Sequence, residues 1–98
     1  MSSPVLERAL TAIRAQRERA RAVGIELVGV VGSVARDEAG PESDVDVAYA
    51  IIGKSSLFDL GGVLMDLQED LNRRVDMVDL NQIRPRLRAI MERDLVLA

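Results

Sequence analysis

Leu27-Val28-Gly29-Val30-Val31-Gly32-Ser33 is followed, after ten residues, by Asp44-Val45-Asp46-Val47-Ala48-Tyr49-Ala50-Ile51-Ile52, and these two segments decide the fold. The run from Leu27 to Val31 is short, nearly all apolar and rich in β-branched residues, which favours a buried strand over a helix. Gly32-Ser33 ends it, and Val34-Ala35-Arg36 can form a short helical turn starting at Ser33. Asp37 to Ser43 contains Gly40-Pro41 and several charges, so it reads as an exposed loop. From Asp44 to Ile52, Val45, Val47, Tyr49 and Ile51 alternate with Asp44, Asp46, Ala48 and Ala50. This is the period of a second strand, and it puts Asp44 and Asp46 on one face with Cα atoms roughly 6.5 Å apart.

Outward from this centre the elements are plain. Upstream, Ser3 and Pro4 read as N-cap and first helical residue, and Leu6, Leu10, Ile13, Ala20 and Val23 form an apolar stripe interrupted by Arg17. Gly24 stops that helix after Val23. Downstream, Gly53-Lys54-Ser55 is a turn, and Ser56 with Asp59 has capping-box spacing. Leu57, Leu60, Leu64, Leu67 and Leu71 then give a helical seam, read as core. Gly61-Gly62 weakens that helix and suggests close packing on the sheet. Asn72 suits a left-handed stop. Val75-Asp76-Met77-Val78 is a third strand. Asp79 falls where a turn or helix begins and reads as a cap. Pro85 opens a last helix to about Glu92, and Leu95-Val96-Leu97 is a short terminal strand. The order helix, strand, strand, helix, strand, helix predicts an α/β (α+β) fold: one domain over residues 1–98, with a small mixed sheet and helices packed on it. The link from the second strand to the third through a helix suits a parallel crossover.

Composition narrows the chemistry. The chain has 98 residues, 48% hydrophobic and 30% charged, which is globular balance. The net charge is -3, and Tyr49 and Phe58 are the only aromatics. Broad electrostatic binding of nucleic acid and base stacking are therefore disfavoured, and no direct nucleic-acid binding is expected. The arginines do cluster: Arg8, Arg14, Arg17, Arg19 and Arg21 in the first helix, and Arg84, Arg86, Arg88 and Arg93 in the last. These are either solvated faces or a docking surface for an acidic partner. There is no cysteine and no histidine, so disulfides, thiolate nucleophiles, histidine bases and His- or Cys-based metal sites are excluded. No apolar run approaches a membrane span and no signal-peptide pattern is present, so a cytoplasmic protein is expected.

What remains is carboxylate chemistry. Two carboxylates side by side on a strand repel unless a cation lies between them. Such hard oxygen ligands suit magnesium, which keeps several waters and takes substrate phosphate oxygens. Asp76, if its strand lies beside the second, approaches the pair from the flank. Two metals about 3.5–4 Å apart can then clamp an in-line displacement, with Asp76 also placed to take the proton of an attacking hydroxyl. Gly32 lets backbone approach a phosphate, and a turn starting at Ser33 aims N–H groups and a hydroxyl at an anion. Arg36, one turn on, can add a charge-assisted contact.

Gly32-Ser33-Val34-Ala35-Arg36, the loop, and Ser43-Asp44-Val45-Asp46-Val47 together resemble the signature of the DNA polymerase beta-like nucleotidyltransferases. The short length and Val75-Asp76-Met77-Val78 resemble the minimal nucleotidyltransferase (MNT) subgroup. The resemblance runs from the first strand to the last helix and departs at Asp37, where glycine is very common in this group. It implies a nucleotidyltransferase fold and a magnesium-dependent transfer of AMP from ATP, with release of pyrophosphate. Asp44, Asp46 and Asp76 are then the catalytic, metal-binding residues, and Gly32, Ser33 and Arg36 bind the nucleotide. It further implies a protein partner. Many members are antitoxins of HEPN-domain ribonuclease toxins, and some attach AMP to a tyrosine of that partner. A non-catalytic antitoxin acting by occupation and nucleotidyl transfer to a small molecule stand as alternatives within the same resemblance, and the sequence leaves open whether the chain forms a homo-oligomer.

Overall fold

The computed structural model describes residues 4–98. The chain runs α1 (Pro4–Ala22), β1 (Ile25–Val31), α2 (Gly32–Ala35), β2 (Val45–Ile51), α3 (Leu57–Leu71), β3 (Val75–Asp79), α4 (Pro85–Asp94) and β4 (Val96–Leu97). The four strands form one mixed sheet in the order β3-β2-β1-β4. β1 is antiparallel to both β2 and β4, and β2 is parallel to β3. The predicted mixed sheet and parallel crossover are therefore present. The cap predicted at Ser3 lies outside the described residues.

Two apolar layers flank the sheet. One joins Ile25, Leu27, Val30, Val45, Val47 and Val75 to Leu6, Leu10 and Ile13 of α1 and to Val63, Leu67 and Leu71 of α3. The other is smaller. Val31, Ala48 and Leu80 are buried there, with Val78, Ile83, Met91 and Leu95 packed around them under α4. One register slip makes this two-sided arrangement possible. Leu27 pairs with Tyr49 but Gly29 with Ala48, so Val28 is an extra residue in β1. This β-bulge moves Val30 onto the face of Ile25 and Leu27, and turns Val31 to the opposite face. Gly29 answers a second demand, because a Cβ there would enter the backbone of Val96 in β4.

Local chemistry sets the boundaries. β1 begins at Ile25 rather than Leu27, because Ile25 and Glu26 find partners in Ile51 and Ala50. Ser56 and Asp59 form the predicted capping box, and Asn72 ends α3 in the left-handed conformation at φ 49°. Asp79 closes β3, and its Oδ1 accepts from the N–H of Asn81, so it caps the following turn from the strand end.

Two expectations for α3 are corrected. Leu57 is 88% exposed and outside the core, whereas Leu67 is fully buried. The first turn of α3 overhangs the sheet, so the seam becomes core from Leu60 onward. Gly61 and Gly62 do not pack closely either: a Cβ on either would touch nothing within 4 Å. Four of the five arginines of α1 serve the fold rather than solvent alone. Arg8 donates to the carbonyl of Leu71, Arg17 to that of Ala98, Arg19 pairs with Asp66, and Arg21 with Glu26.

Candidate active site

The bulge in β1 also sets the site. It leaves Val31 opposite Asp46 in β2, and the next residue, Gly32, turns the chain at φ +77°. That conformation disfavours any residue with a Cβ. The space is closed as well, because a Cβ on Gly32 would run into Oδ2 of Asp46. The glycine of the turn and the second aspartate of the pair are thus in direct packing.

α2 follows at once. Its first N–H groups, at Gly32 and Ser33, have no acceptor within the helix, and its cap residue Val31 supplies no side-chain bond. Its far end is a Schellman-type closure. Asp37 donates to the carbonyl of Val34 and Glu38 to that of Ser33, with Asp37 left-handed at φ 59°. This explains the departure at Asp37. The position after the arginine demands a left-handed residue, which glycine adopts freely and aspartate tolerates better than most.

The three predicted carboxylates are neighbours. Asp46 and Asp76 are register partners on the parallel strands β2 and β3. Asp44 sits just before β2, half-buried, with Arg74 Nε 4.0 Å from its Oδ1. Asp46 is also half-buried and Asp76 is exposed. Burial pushes the Asp46 carboxyl above the ordinary aspartate range, and the charges of Asp76 and Asp44 push it the same way, against Arg36. Among the described residues, no three acidic side chains close on one point at metal-holding distance. The arrangement is an open row of hard anionic oxygens in mutual repulsion. Its chemistry fits a divalent cation such as magnesium, which relieves that repulsion and keeps part of its water shell.

Arg36 differs most from expectation. Its Nε donates to Glu38 at 3.0 Å and its Nη1 to Asp94 at the end of α4 at 3.1 Å. Hydrogen bonds to Glu38 and then Asp94 hold it firmly protonated. The guanidinium lies close enough to act on Asp46 yet is engaged by two carboxylates. Arg73 is a neighbour of the site that sequence reasoning does not single out. Its Nη1 donates to the carbonyl of Ser43 at 2.8 Å and of Gly40 at 3.4 Å, tying down the loop that delivers Asp44. No local pattern marks it, because its acceptors are carbonyls thirty and thirty-three residues away.

A two-strand carboxylate row beside a glycine-hinged turn is suited by its chemistry to a divalent cation and a phosphate, and comparison with known proteins identifies the fold. Residues 16–97 match the family described as "Polymerase beta, Nucleotidyltransferase". The chain therefore belongs to the polymerase beta nucleotidyltransferase family, and it is a nucleotidyltransferase. A relative in Methanocaldococcus jannaschii, assigned as a protein adenylyltransferase, is 34% identical over 65 residues, covering 66% of this chain and 70% of that protein. A solved structure assigned as a minimal nucleotidyltransferase is 35% identical with a TM-score of 0.71, covering 89% of this chain and 93% of that one. This supports the MNT subgroup. A crystal structure of a toxin-antitoxin with AMP-PNP shares the fold at 21% identity and a TM-score of 0.58, covering 76% of this chain and 62% of that one. Among the described residues no helix is long and apolar enough to cross a membrane.

Proposed function

We propose that this chain transfers AMP from ATP to a hydroxyl of a protein acceptor, and that the acceptor is a HEPN-type ribonuclease toxin it neutralises. The observation that carries the reading is the register of Asp46 with Asp76 on parallel strands, with Gly32 packed on the Asp46 carboxylate. The M. jannaschii relative is assigned to protein adenylyl transfer, and a fold neighbour is a toxin-antitoxin holding an ATP analogue. Both support the choice of nucleotide and of a protein acceptor.

The residues divide the work. Asp44, Asp46 and Asp76 would hold magnesium, which when bound neutralises phosphate charge and stabilises the attacking and leaving oxygens. The N–H groups of Gly32 and Ser33, with the Ser33 hydroxyl, bind triphosphate oxygens at the start of α2. Arg36 adds a charge-assisted contact by exchanging a carboxylate partner for a phosphate oxygen. The acceptor oxygen attacks the α-phosphorus, the bond to the β-phosphate oxygen breaks, and pyrophosphate leaves. Asp76, the exposed member of the row, takes the hydroxyl proton.

The test is transfer of label from α-labelled ATP, with magnesium, to the protein encoded beside this one, in parallel with the double variant Asp44→Ala, Asp46→Ala. Covalent label that the variant abolishes is expected. Full neutralisation of the partner by the variant, with no label from the wild type, would sink the proposal in favour of inhibition by occupation.

A further inference from the structure

We infer that Asp94 is a positioning residue for the nucleotide: it keeps hold of Arg36 while Arg36 releases Glu38 and grips the triphosphate. The inference rests on the reading above that Arg36 contacts the triphosphate, and it names which of the two carboxylates stays. The two bonds use different nitrogens. Nε donates to Glu38 and Nη1 to Asp94, and neither involves Nη2. In a planar guanidinium, Nε and Nη2 present a pair of parallel N–H groups, a fork that fits a phosphate. Glu38 occupies half of that fork. Asp94 occupies neither half, so its bond survives while a phosphate takes both.

The surroundings rank the two partners the same way. The Glu38 side chain is 64% exposed and that of Asp94 is 23% exposed. An exposed ion pair contributes little and exchanges readily, whereas a partly buried one is screened less. Asp94 is also built into the fold. It is the last residue of α4, where the helix dipole favours a cation. Met91 and Leu95, on either side of it, pack around buried Val31. Val96 pairs with Val30 of β1, the strand that runs straight into Gly32, Ser33 and Arg36. β1 thereby anchors both members of the Arg36–Asp94 pair. An arginine restrained in this way loses less freedom on binding a phosphate than an unrestrained one.

The test is the dissociation constant of the magnesium complex of α,β-methylene-ATP, which cannot release pyrophosphate, measured by titration calorimetry on variants whose folding is verified by circular dichroism. Removing either carboxylate relieves repulsion of the triphosphate, so repulsion alone tightens binding in both variants. Positioning separates them. Glu38→Gln is expected to bind about two- to threefold more tightly than the wild type, and Asp94→Ala about tenfold more weakly. Asp94→Asn, which keeps an acceptor of the same shape, is expected to recover most of that loss. In an Arg36→Ala background, Asp94→Ala is expected to change binding by less than about twofold, because the residue through which it acts is gone. Binding that weakens on Arg36→Ala but not on Asp94→Ala overturns this inference alone, as does an Asp94→Ala loss that persists without Arg36, or a Glu38→Gln loss as large as that of Asp94→Ala. An Arg36→Ala protein that binds as the wild type does, or a wild type that does not bind, overturns the nucleotide contact of Arg36 and this inference with it.

Discussion

Gly32→Ala separates the cost of a backbone from the cost of a site. At φ +77° an alanine is left-handed, a strain of about 1–2 kcal/mol. For a domain of this size that lowers Tm by roughly 4–16 °C. The new methyl must also displace Oδ2 of Asp46. Asp46 is half-buried, so its carboxylate can swing away at little further cost in stability. Catalysis has no such tolerance: a displacement of about 1 Å in a positioned group costs about a hundredfold in rate. Gly32→Ala is thus expected to lose several degrees of Tm and about a hundredfold in AMP transfer. Gly40→Ala, with only Ser43 Oγ at 3.9 Å and no unusual φ, is expected to lose neither. A double-mutant cycle with Asp46→Ala isolates the contact, because removing the carboxylate leaves Gly32→Ala only its backbone strain. Thermal unfolding and labelled transfer are the two assays. Gly32→Ala with activity within about threefold of wild type would refute the claim that this packing sets the site geometry.

Further expectations concern charge, caps and core. The Asp46 carboxyl is raised in the folded state, so the native chain binds its proton more tightly than the unfolded chain, and stability falls as pH rises through the window above the ordinary aspartate value. In chelator, Tm of the wild type is expected to fall relative to Asp46→Asn across that window and to match it below, and magnesium is expected to recover the difference; a constant offset at all pH values contradicts this. Asp37→Gly relieves a left-handed aspartate at φ 59° and is expected to stabilise by about 0.5–1 kcal/mol in denaturant unfolding; a loss of stability would disprove that account of the turn. Leu67→Ala is expected to cost about 2–5 kcal/mol and Leu57→Ala less than about 0.5 kcal/mol, measured by the same unfolding curves, although both belong to one leucine seam.

The parts of this protein legible in its sequence are those fixed by near neighbours. The Ser56 cap needs only Asp59, the left-handed stop needs only Asn72, and the alternation of Val45, Asp46 and Val47 carries its own face assignment. The carboxylate row was accessible because a parallel crossover places β3 beside β2. Features that depend on distant partners were not visible. The bulge at Val28 exists only relative to Tyr49 and Ala48. Gly29 is dictated by Val96, and Gly32 by a side chain fourteen positions on. Arg36 meets Asp94 across 58 positions, and no local pattern announces that pairing. Leu57 failed as a core residue because helical periodicity says which side of a helix is apolar, not how far the sheet beneath it extends.

The central claim is that Asp46 and Asp76, brought into register by β2 and β3, act as one unit on the nucleotide. The most direct test is the rate of AMP transfer at saturating magnesium for Asp46→Asn, Asp76→Asn and the double variant, with folding verified by circular dichroism. Each single substitution is expected to lower the rate by about a thousandfold or more, and the double variant to fall no further, since residues acting as a unit are not additive. A folded Asp76→Asn protein that transfers AMP at the wild-type rate would contradict the account.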